Sequence, residues 1–147
     1  MGRIFKSGLF LFLPIKNFFT MNPPGVTVRP SPYSVKETID RLEDFLRKQG
    51  VTIYARINQQ SELNKTGQTI SPLEFLMFGN PKAGGALMTE NPLSALDLPL
   101  KIIAWEDKQN KVWLGYNDAA YIRERYSLSP AISGPLDLDP LIAKVFQ

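Results

Sequence analysis

An apolar segment that ends abruptly in a turn is the feature that most constrains this fold. Phe75-Leu76-Met77-Phe78 is followed at once by Gly79-Asn80-Pro81-Lys82. Because Glu74 is the one polar residue between Leu73 and Phe78, we predict a central strand that is covered on both faces. Asn80 and Pro81 are typical of a helix N-cap and a first helical residue. A buried strand thus meets exposed backbone, and such a junction commonly borders a pocket.

The flanking sequence predicts both helices and strands. Ser34 and Glu37 have the spacing of a capping box, and apolar residues follow at helical intervals until Gly50. By the same reasoning we predict strands at 26–29, 51–57, 100–105 and 112–116, and helices at 59–65, in part of 81–91, from Asp118 to Tyr126 and from Asp139-Pro140. This order predicts an α+β fold, a two-layer sandwich whose mixed or mainly antiparallel sheet carries helices mainly on one face. A homodimer is the simplest cover for the other face.

Composition excludes several kinds of chemistry. The 147 residues suffice for one domain with a hydrophobic core. The chain has no cysteine and no histidine, which excludes disulfides, thiolate or imidazole metal sites and serine–histidine triads. We predict no cofactor and no metal, since only oxygen ligands for hard cations remain. The lack of cysteine also fits a reducing, cytoplasmic location.

The excess of basic charge lies at the N-terminus. The chain has a net charge of +3 from 17 basic and 14 acidic residues. Three of the basic residues, Arg3, Lys6 and Lys16, precede Met21, so the rest of the chain is neutral. Proteins that bind nucleic acid usually concentrate Lys and Arg along one face. We therefore predict no nucleic-acid partner.

Residues 1–20 are predicted to be an extension of a domain that spans residues 21–126. Leu9 to Leu13 form an apolar run that is too short to cross a bilayer. Three interpretations remain: a disordered or untranslated extension with the true start at Met21, a segment lying on a membrane surface, and a signal sequence. Residues 127–147 are predicted to form a Ser/Pro/Gly linker and a helix that packs on the domain.

Several motifs occur in a fixed order along the chain. They are Phe78-Gly79-Asn80-Pro81-Lys82, Leu87-Met88, Leu98-Pro99-Leu100, Trp105-Glu106-Asp107 and Val112-Trp113-Leu114-Gly115-Tyr116-Asn117-Asp118. Together they resemble the domain of unknown function 302 family, over about residues 26–126. The resemblance implies a small α+β domain that commonly pairs as a homodimer, and it implies no established activity. Members of the family often have Ile-Asp-His where this chain has Ile57-Asn58-Gln59. Two neutral amides therefore replace an ionisable pair, and these amides can hydrogen-bond a ligand or cap a helix.

The turn at Gly79 is the main predicted ligand site. Asn80-Pro81 offers helix N-terminal N–H groups and Lys82 adds positive charge, which together suit an anion. A plain strand-to-helix turn explains the same residues. Three sheet residues complete the predicted ligand set: Trp105, Tyr116 and Asn58. They can line a pocket, or they can instead belong to the core, a dimer interface or a helix cap.

Two classes of function fit these residues, and we favour the first. It is a non-catalytic homodimeric module that binds a small ligand, with an anion as one candidate, near Gly79–Lys82. The alternative is an enzyme that uses Glu106, Asp107 or Asp118 as acid and base, although a hairpin rim and a helix cap explain these carboxylates as well. A third hypothesis is a peripheral membrane protein held by residues 1–20.

Overall fold

The fold is built on one five-stranded antiparallel sheet, seen in a computed structural model that describes residues 22–147. The strands are β1 (Val26–Ser31), β2 (Thr52–Asn58), β3 (Leu73–Gly79), β4 (Leu100–Glu106) and β5 (Val112–Asn117). Their spatial order is β1-β5-β4-β3-β2, so β2 to β5 form a meander and β1 returns to pair with β5. The predicted antiparallel sheet is confirmed. The predictions for residues 1–20 lie outside the described residues.

Within residues 22–147, five α-helices accompany the sheet: α1 (Val35–Lys48), α2 (Gln59–Asn64), α3 (Pro81–Glu90), α4 (Ala119–Arg125) and α5 (Asp139–Val145). The backbone N–H of Glu37 donates to Ser34 Oγ over 3.1 Å, which caps α1 as predicted. The Glu37 carboxylate bonds Arg41 instead of returning to Ser34, so only half of the capping box forms. Asp118 caps α4 by accepting from the Tyr121 N–H over 3.0 Å.

The main core lies between α1, α5 and one face of the sheet. Helix α1 contributes Ile39 and Leu42, and the sheet contributes Leu76, Ile102 and Leu114, all of them fully buried. Each such side chain adds about 1.5–3 kcal/mol through burial of apolar surface. The predicted α+β layer with helices mainly on one face is therefore confirmed. We call this side of the sheet the inner face.

The prediction that strand β3 is covered on both faces was wrong. Burial alternates along the strand: Glu74, Leu76 and Phe78 are buried, whereas Phe75 and Met77 are only half-buried. Sequence could not show this, because the outward-facing residues of β3 are as apolar as the inward-facing ones. Strand register places further half-buried residues on the same side, which we call the outer face: Val28, Ile57, Phe75, Met77, Ile103, Trp105 and Trp113.

A second, smaller core forms where α3 and α4 meet the C-terminal segment. Leu87, Ile122 and Tyr126 pack there with Leu128 and Leu136. The stretch predicted as a linker at residues 127–135 is thus anchored, since its apolar side chains enter this core. Helix α5 begins at the predicted Asp139-Pro140, with Asp139 as its first residue, and the Asp139 N–H donates to Asp137 Oδ1 over 3.1 Å.

Candidate functional site

An apolar cavity of about 280 Å³ lies at the end of the sheet where β3 turns into α3. Its lining comes from four separate parts of the chain. The end of α1 and the start of β2 supply Leu46, Val51 and Tyr54. The other three parts are the turn with the first two turns of α3, the segment 98–100 before and into β4, and the C-terminal residues 135–138 with Leu141. The volume is close to the lower end of the range for small-molecule sites, about 300–1,000 Å³.

The turn beside the cavity has the geometry that its sequence predicts. Asn80 is the N-cap of α3, and Pro81 is the first helical residue. Asn80 Oδ1 accepts from the N–H of Lys82 over 3.0 Å and from the N–H of Ala83 over 3.4 Å. Because Pro81 has no N–H, the cap uses the N–H groups that an anion at this helix end would otherwise bind.

Helix α3 leaves room for the cavity. Pro81, Gly84 and Met88 line it, and their spacing places them on one side of the helix. A Cβ atom added to Gly84 meets only Met88 Cε, at 3.8 Å, so this glycine keeps the wall thin. The following residue, Gly85, is outside the lining, and a Cβ atom there meets nothing within 4 Å.

Polar groups are few in the cavity. Asn80, Tyr54 and Asp137 are the lining residues with polar side chains. Tyr54 is half-exposed, and its Cε2 lies 3.7 Å from the position of a Cβ atom on Gly79, so the ring stands over the turn. The chemistry of the site is therefore that of an apolar container with a polar rim.

The structure brings together three of the seven predicted ligand residues. Gly79, Asn80 and Pro81 line the cavity, whereas the adjacent Lys82 is exposed and outside the lining. Asn58 lies at the opposite end of β2, because Thr52 pairs with Gly79 while Asn58 pairs with Glu74. Ligand binding by any of these residues stays a prediction.

Asn58 and the two remaining sheet residues have structural partners elsewhere. Asn58 Nδ2 donates to Glu74 Oε1 over 3.0 Å, and Asn58 Oδ1 accepts from the Ser61 N–H to cap α2. Trp105 lies on the outer face, half-buried. Tyr116 is buried on the inner face, where burial and then its hydrogen bond to Asp139 raise the pKa of the phenol to about 12.

Among the carboxylates proposed for catalysis, Asp118 lies far from Glu106 and Asp107. Glu106 pairs with Val112 at the start of β5, and Asp118 follows the last residue of that strand. Six strand residues separate the two positions by about 20 Å. Asp107 holds the β4–β5 turn, because it accepts from Trp113 Nε1 and from the Lys111 N–H. The bond from Trp113, followed by the one from Lys111, keeps the pKa of Asp107 below its usual range.

A partly buried ionic cluster joins α1 to β2 and β3. Arg56 contacts Asp40 at 2.6 Å, Glu43 at 2.9 Å and Glu74 at 2.9 Å. Burial acts to lower the pKa of Arg56, but the bonds to these carboxylates outweigh it and raise the pKa. Within residues 22–147, no group of His, Cys, Asp and Glu has an arrangement that could hold a metal ion. The cluster is therefore a structural one.

Comparison with known proteins identifies the family. A family model described as domain of unknown function DUF302 matches residues 27–142. The chain belongs to the DUF302 family. The DUF302 match continues past residue 126, where the motif resemblance stops, and includes the C-terminal residues that line the cavity.

A solved DUF302 structure has the same fold. It is the crystal structure of an uncharacterized conserved DUF302 protein from Bacillus stearothermophilus, with a TM-score of 0.69 and 20% sequence identity. The alignment covers 84% of this chain and 97% of that chain. At this identity the likeness establishes the fold alone.

Two curated relatives of this DUF302 chain are named fluoride-specific ion channel FluC 1. They come from Brucella suis biovar 1 and Brucella abortus biovar 1, and each is 36% identical over 104 residues, or 71% of this chain. The aligned region is 41% of the first protein and 38% of the second, so the chain spans about two fifths of their length. In the described part of this chain, from Asn22 onwards, no helix has the length and apolar character to cross a membrane.

Most of the cavity wall was not predicted from the sequence. Leu98-Pro99-Leu100 was recognised as a motif but not as a wall, and Pro135 belonged to the linker predicted at residues 127–135. Helix α3 contains a partial signal. Gly84 leaves space, Met88 supplies a flexible side chain, and both lie on the same side of the helix as Pro81. The other walls come together only through the tertiary fold.

Proposed function

We propose that this DUF302 chain is a non-catalytic homodimeric module that binds a small ligand in the cavity beside the Gly79-Asn80 turn. The observation that carries the proposal is the cavity itself, with its apolar lining and its opening beside Tyr54 and Met88. The side chains of Tyr54 and Met88 are both exposed at that end of the sheet. Apolar surface at a concave site favours a ligand that removes it from water.

The distribution of acidic groups supports a binding role over a catalytic one. Glu106 and Asp118 are about 20 Å apart along the sheet, and Asp107 and Asp118 have turn-forming and helix-capping bonds. Acid–base catalysis needs two groups within hydrogen-bonding reach of one substrate. The cavity lining contains one carboxylate, Asp137, and none of Glu106, Asp107 and Asp118.

The outer face supports the homodimeric part of the proposal. Five strands spaced about 4.8 Å apart and of six or seven residues give this face an area of about 500 Å². Two copies in contact bury about 1,000 Å², which is where specific interfaces begin. Aromatic residues typical of interface cores, Trp105, Trp113 and Phe75, lie on this face and are half-buried.

The Brucella relatives do not supply a ligand for this proposal. Their name describes proteins of which this chain spans about two fifths. Channel activity belongs to those whole proteins, and it is not proposed for this chain.

A fluorescent probe tests the ligand site. N-phenyl-1-naphthylamine, which is neutral and emits strongly in apolar surroundings, should bind the wild-type protein. Gly84→Leu should abolish binding because the new side chain fills the cavity, while Gly85→Leu should leave it unchanged. The two variants gain similar helix propensity, so they differ in the cavity alone. Equal binding by all three proteins would rule out this cavity as the ligand site.

Sedimentation velocity tests the dimer. Ile103→Lys places a charge in the middle of the outer face and should yield monomers, whereas Leu96→Lys changes an exposed residue of the turn after α3 and should not. Circular dichroism shows whether both variants are folded. A monomeric wild-type protein at micromolar concentration would contradict the homodimer.

A further inference from the structure

We propose that the natural ligand is an apolar amine, whose hydrocarbon part fills the cavity while its ammonium group lies against Asp137. This inference rests on the proposed function, because it names the class of ligand for the same cavity. It replaces the anionic ligand that the sequence suggested, because the charged residue in the cavity lining is an acid.

The cavity wall carries a negative charge and no positive one. Among the described residues that line it, Asp137 is the one charged side chain. Arg47, Lys82 and Lys101 are each adjacent in sequence to a lining residue, but none of them lines the cavity and all three are exposed. A carboxylate or phosphate ligand would thus approach a like charge without a basic partner, which is unfavourable.

Asp137 is held in place with one oxygen free. Its Oδ1 accepts from the Asp139 N–H over 3.1 Å, a bond that fixes the carboxylate at the start of α5. Within residues 22–147, Oδ2 has no hydrogen-bond or ion-pair partner. Arg123 lines a neighbouring polar pocket that also includes Asp137, but it forms no ion pair with this carboxylate within the described part of the chain. Asp137 is exposed, so its second oxygen can be reached by a cation.

The rim of the cavity suits a cation in a second way. The ring of Tyr54 is half-exposed and stands over the Gly79 turn, so one π face is open to a ligand. Such faces attract ammonium groups. Asn80, another polar residue of the lining, is a neutral amide whose Oδ1 is used by the helix cap, so it adds no positive charge to the rim.

The test compares three probes of equal chain length. Octylamine is positively charged at pH 7, octan-1-ol is neutral and octanoate is negative, and all three compete with N-phenyl-1-naphthylamine for the wild-type protein. We expect octylamine to bind about fivefold more tightly than octan-1-ol, the size expected of a partly exposed ion pair. Octanoate should bind more weakly than octan-1-ol.

Two charge-neutralising variants identify the group responsible. Asp137→Asn keeps the acceptor for the Asp139 N–H and removes the charge, so octylamine and octan-1-ol should bind equally. Asp44→Asn removes an exposed carboxylate on α1 and should preserve the preference for octylamine.

The outcomes separate this inference from the proposed function. If the three probes bind and Gly84→Leu abolishes their binding, but octylamine has no advantage or keeps it in Asp137→Asn, the amine is wrong and the binding module stands. If octanoate binds most tightly of the three, the amine is likewise wrong and the binding module stands. If no probe binds, or Gly84→Leu binds like the wild type, both the proposed function and this inference fail.

Discussion

Arg56 Nη2 donates to Glu74 Oε2 over 2.9 Å, at a place where the glutamate side chain is only 8% exposed. The same guanidinium contacts Asp40 and Glu43 through Nη1. One cation on β2 therefore neutralises a buried carboxylate on β3 and joins the sheet to helix α1. Glu74 is the polar residue in an otherwise apolar strand, and this contact explains why it is tolerated there.

Removing this cation should destabilise the fold strongly. Arg56→Gln leaves the buried Glu74 without its charged partner, so we expect a loss of about 3 kcal/mol in the free energy of unfolding. Lys48→Gln, which removes one partner of an exposed pair with Asp44, should cost less than about 0.5 kcal/mol. Urea denaturation measures both values. A loss below about 1 kcal/mol for Arg56→Gln would mean that the contact has little energetic role.

Stability should decrease in acid. The bonds from Lys36 and then Arg56 lower the pKa of Asp40, and those from Arg47 and then Arg56 lower the pKa of Glu43. A carboxyl group whose pKa is lower in the folded state stabilises the fold above its unfolded pKa, which is about 4 for both residues. The contribution is lost as the pH falls through the folded pKa.

Urea midpoints between pH 7 and pH 2.5 test this dependence. The midpoint should be steady down to about pH 5 and then decrease. In Arg56→Gln the decrease should be shallower, because both carboxyl groups lose a partner that favours their charged form. Parallel curves for the two proteins would contradict this role of Arg56.

Tyr116 should titrate late. Its buried hydroxyl lies 2.5 Å from Asp139 Oδ1, and the raised pKa of about 12 compares with about 10 for an ordinary tyrosine. Absorbance at 295 nm should show the ionisation of Tyr116 near pH 12, and this step should vanish in Tyr116→Phe but persist in Tyr54→Phe. Because the folded pKa is raised, the stability that Tyr116 contributes is complete below pH 10 and is lost as the pH rises through 12. An unchanged titration in Tyr116→Phe would refute the assignment.

Gly25 should be more sensitive to substitution than Gly67. Both have positive φ angles, +76° and +80°, where alanine costs about 1 kcal/mol. A Cβ atom on Gly25 would also lie 2.2 Å from Tyr121 Cγ, whereas one on Gly67 meets nothing within 4 Å. Gly25→Ala should therefore cost at least about 1 kcal/mol more than Gly67→Ala.

The background variant Tyr121→Ala provides the control for this comparison. Without the ring, the two glycine substitutions should have similar costs, which thermal or urea unfolding of the six proteins can establish. If the difference persists in that background, contact with Tyr121 is not its cause.

Local signals in the sequence predicted the helix starts but not the faces of the sheet. Ser34, Asn80 and Asp118 each bond an N–H within three residues, so short-range preferences suffice to place them. The exposure of Phe75 depends on which side of the sheet α1 covers, and this is a property of the tertiary fold. The sequence alone does not distinguish an apolar residue on the inner face of a sheet from one on the outer face.

The candidate site was predicted at its centre and not at its edges. The turn of Gly79 and Asn80 is local, whereas Leu46 and Leu136 reach the same cavity from opposite parts of the chain. The sequence also did not show that two of the carboxylates considered for catalysis lie far apart. Glu106 and Asp118 flank a hairpin, and antiparallel pairing sends them to opposite ends of β5.

The pairing of β1 with β5 has a consequence for synthesis of this protein. Val26 pairs with Asn117, so the first strand to leave the ribosome waits for the last one before its backbone groups find partners. Contacts between such distant segments slow folding, because a long loop must be closed first. During translation, the apolar strands β2 to β4 are made before this sheet can be completed. Until residue 117 has emerged, these strands therefore lack the completed sheet, and aggregation competes with folding.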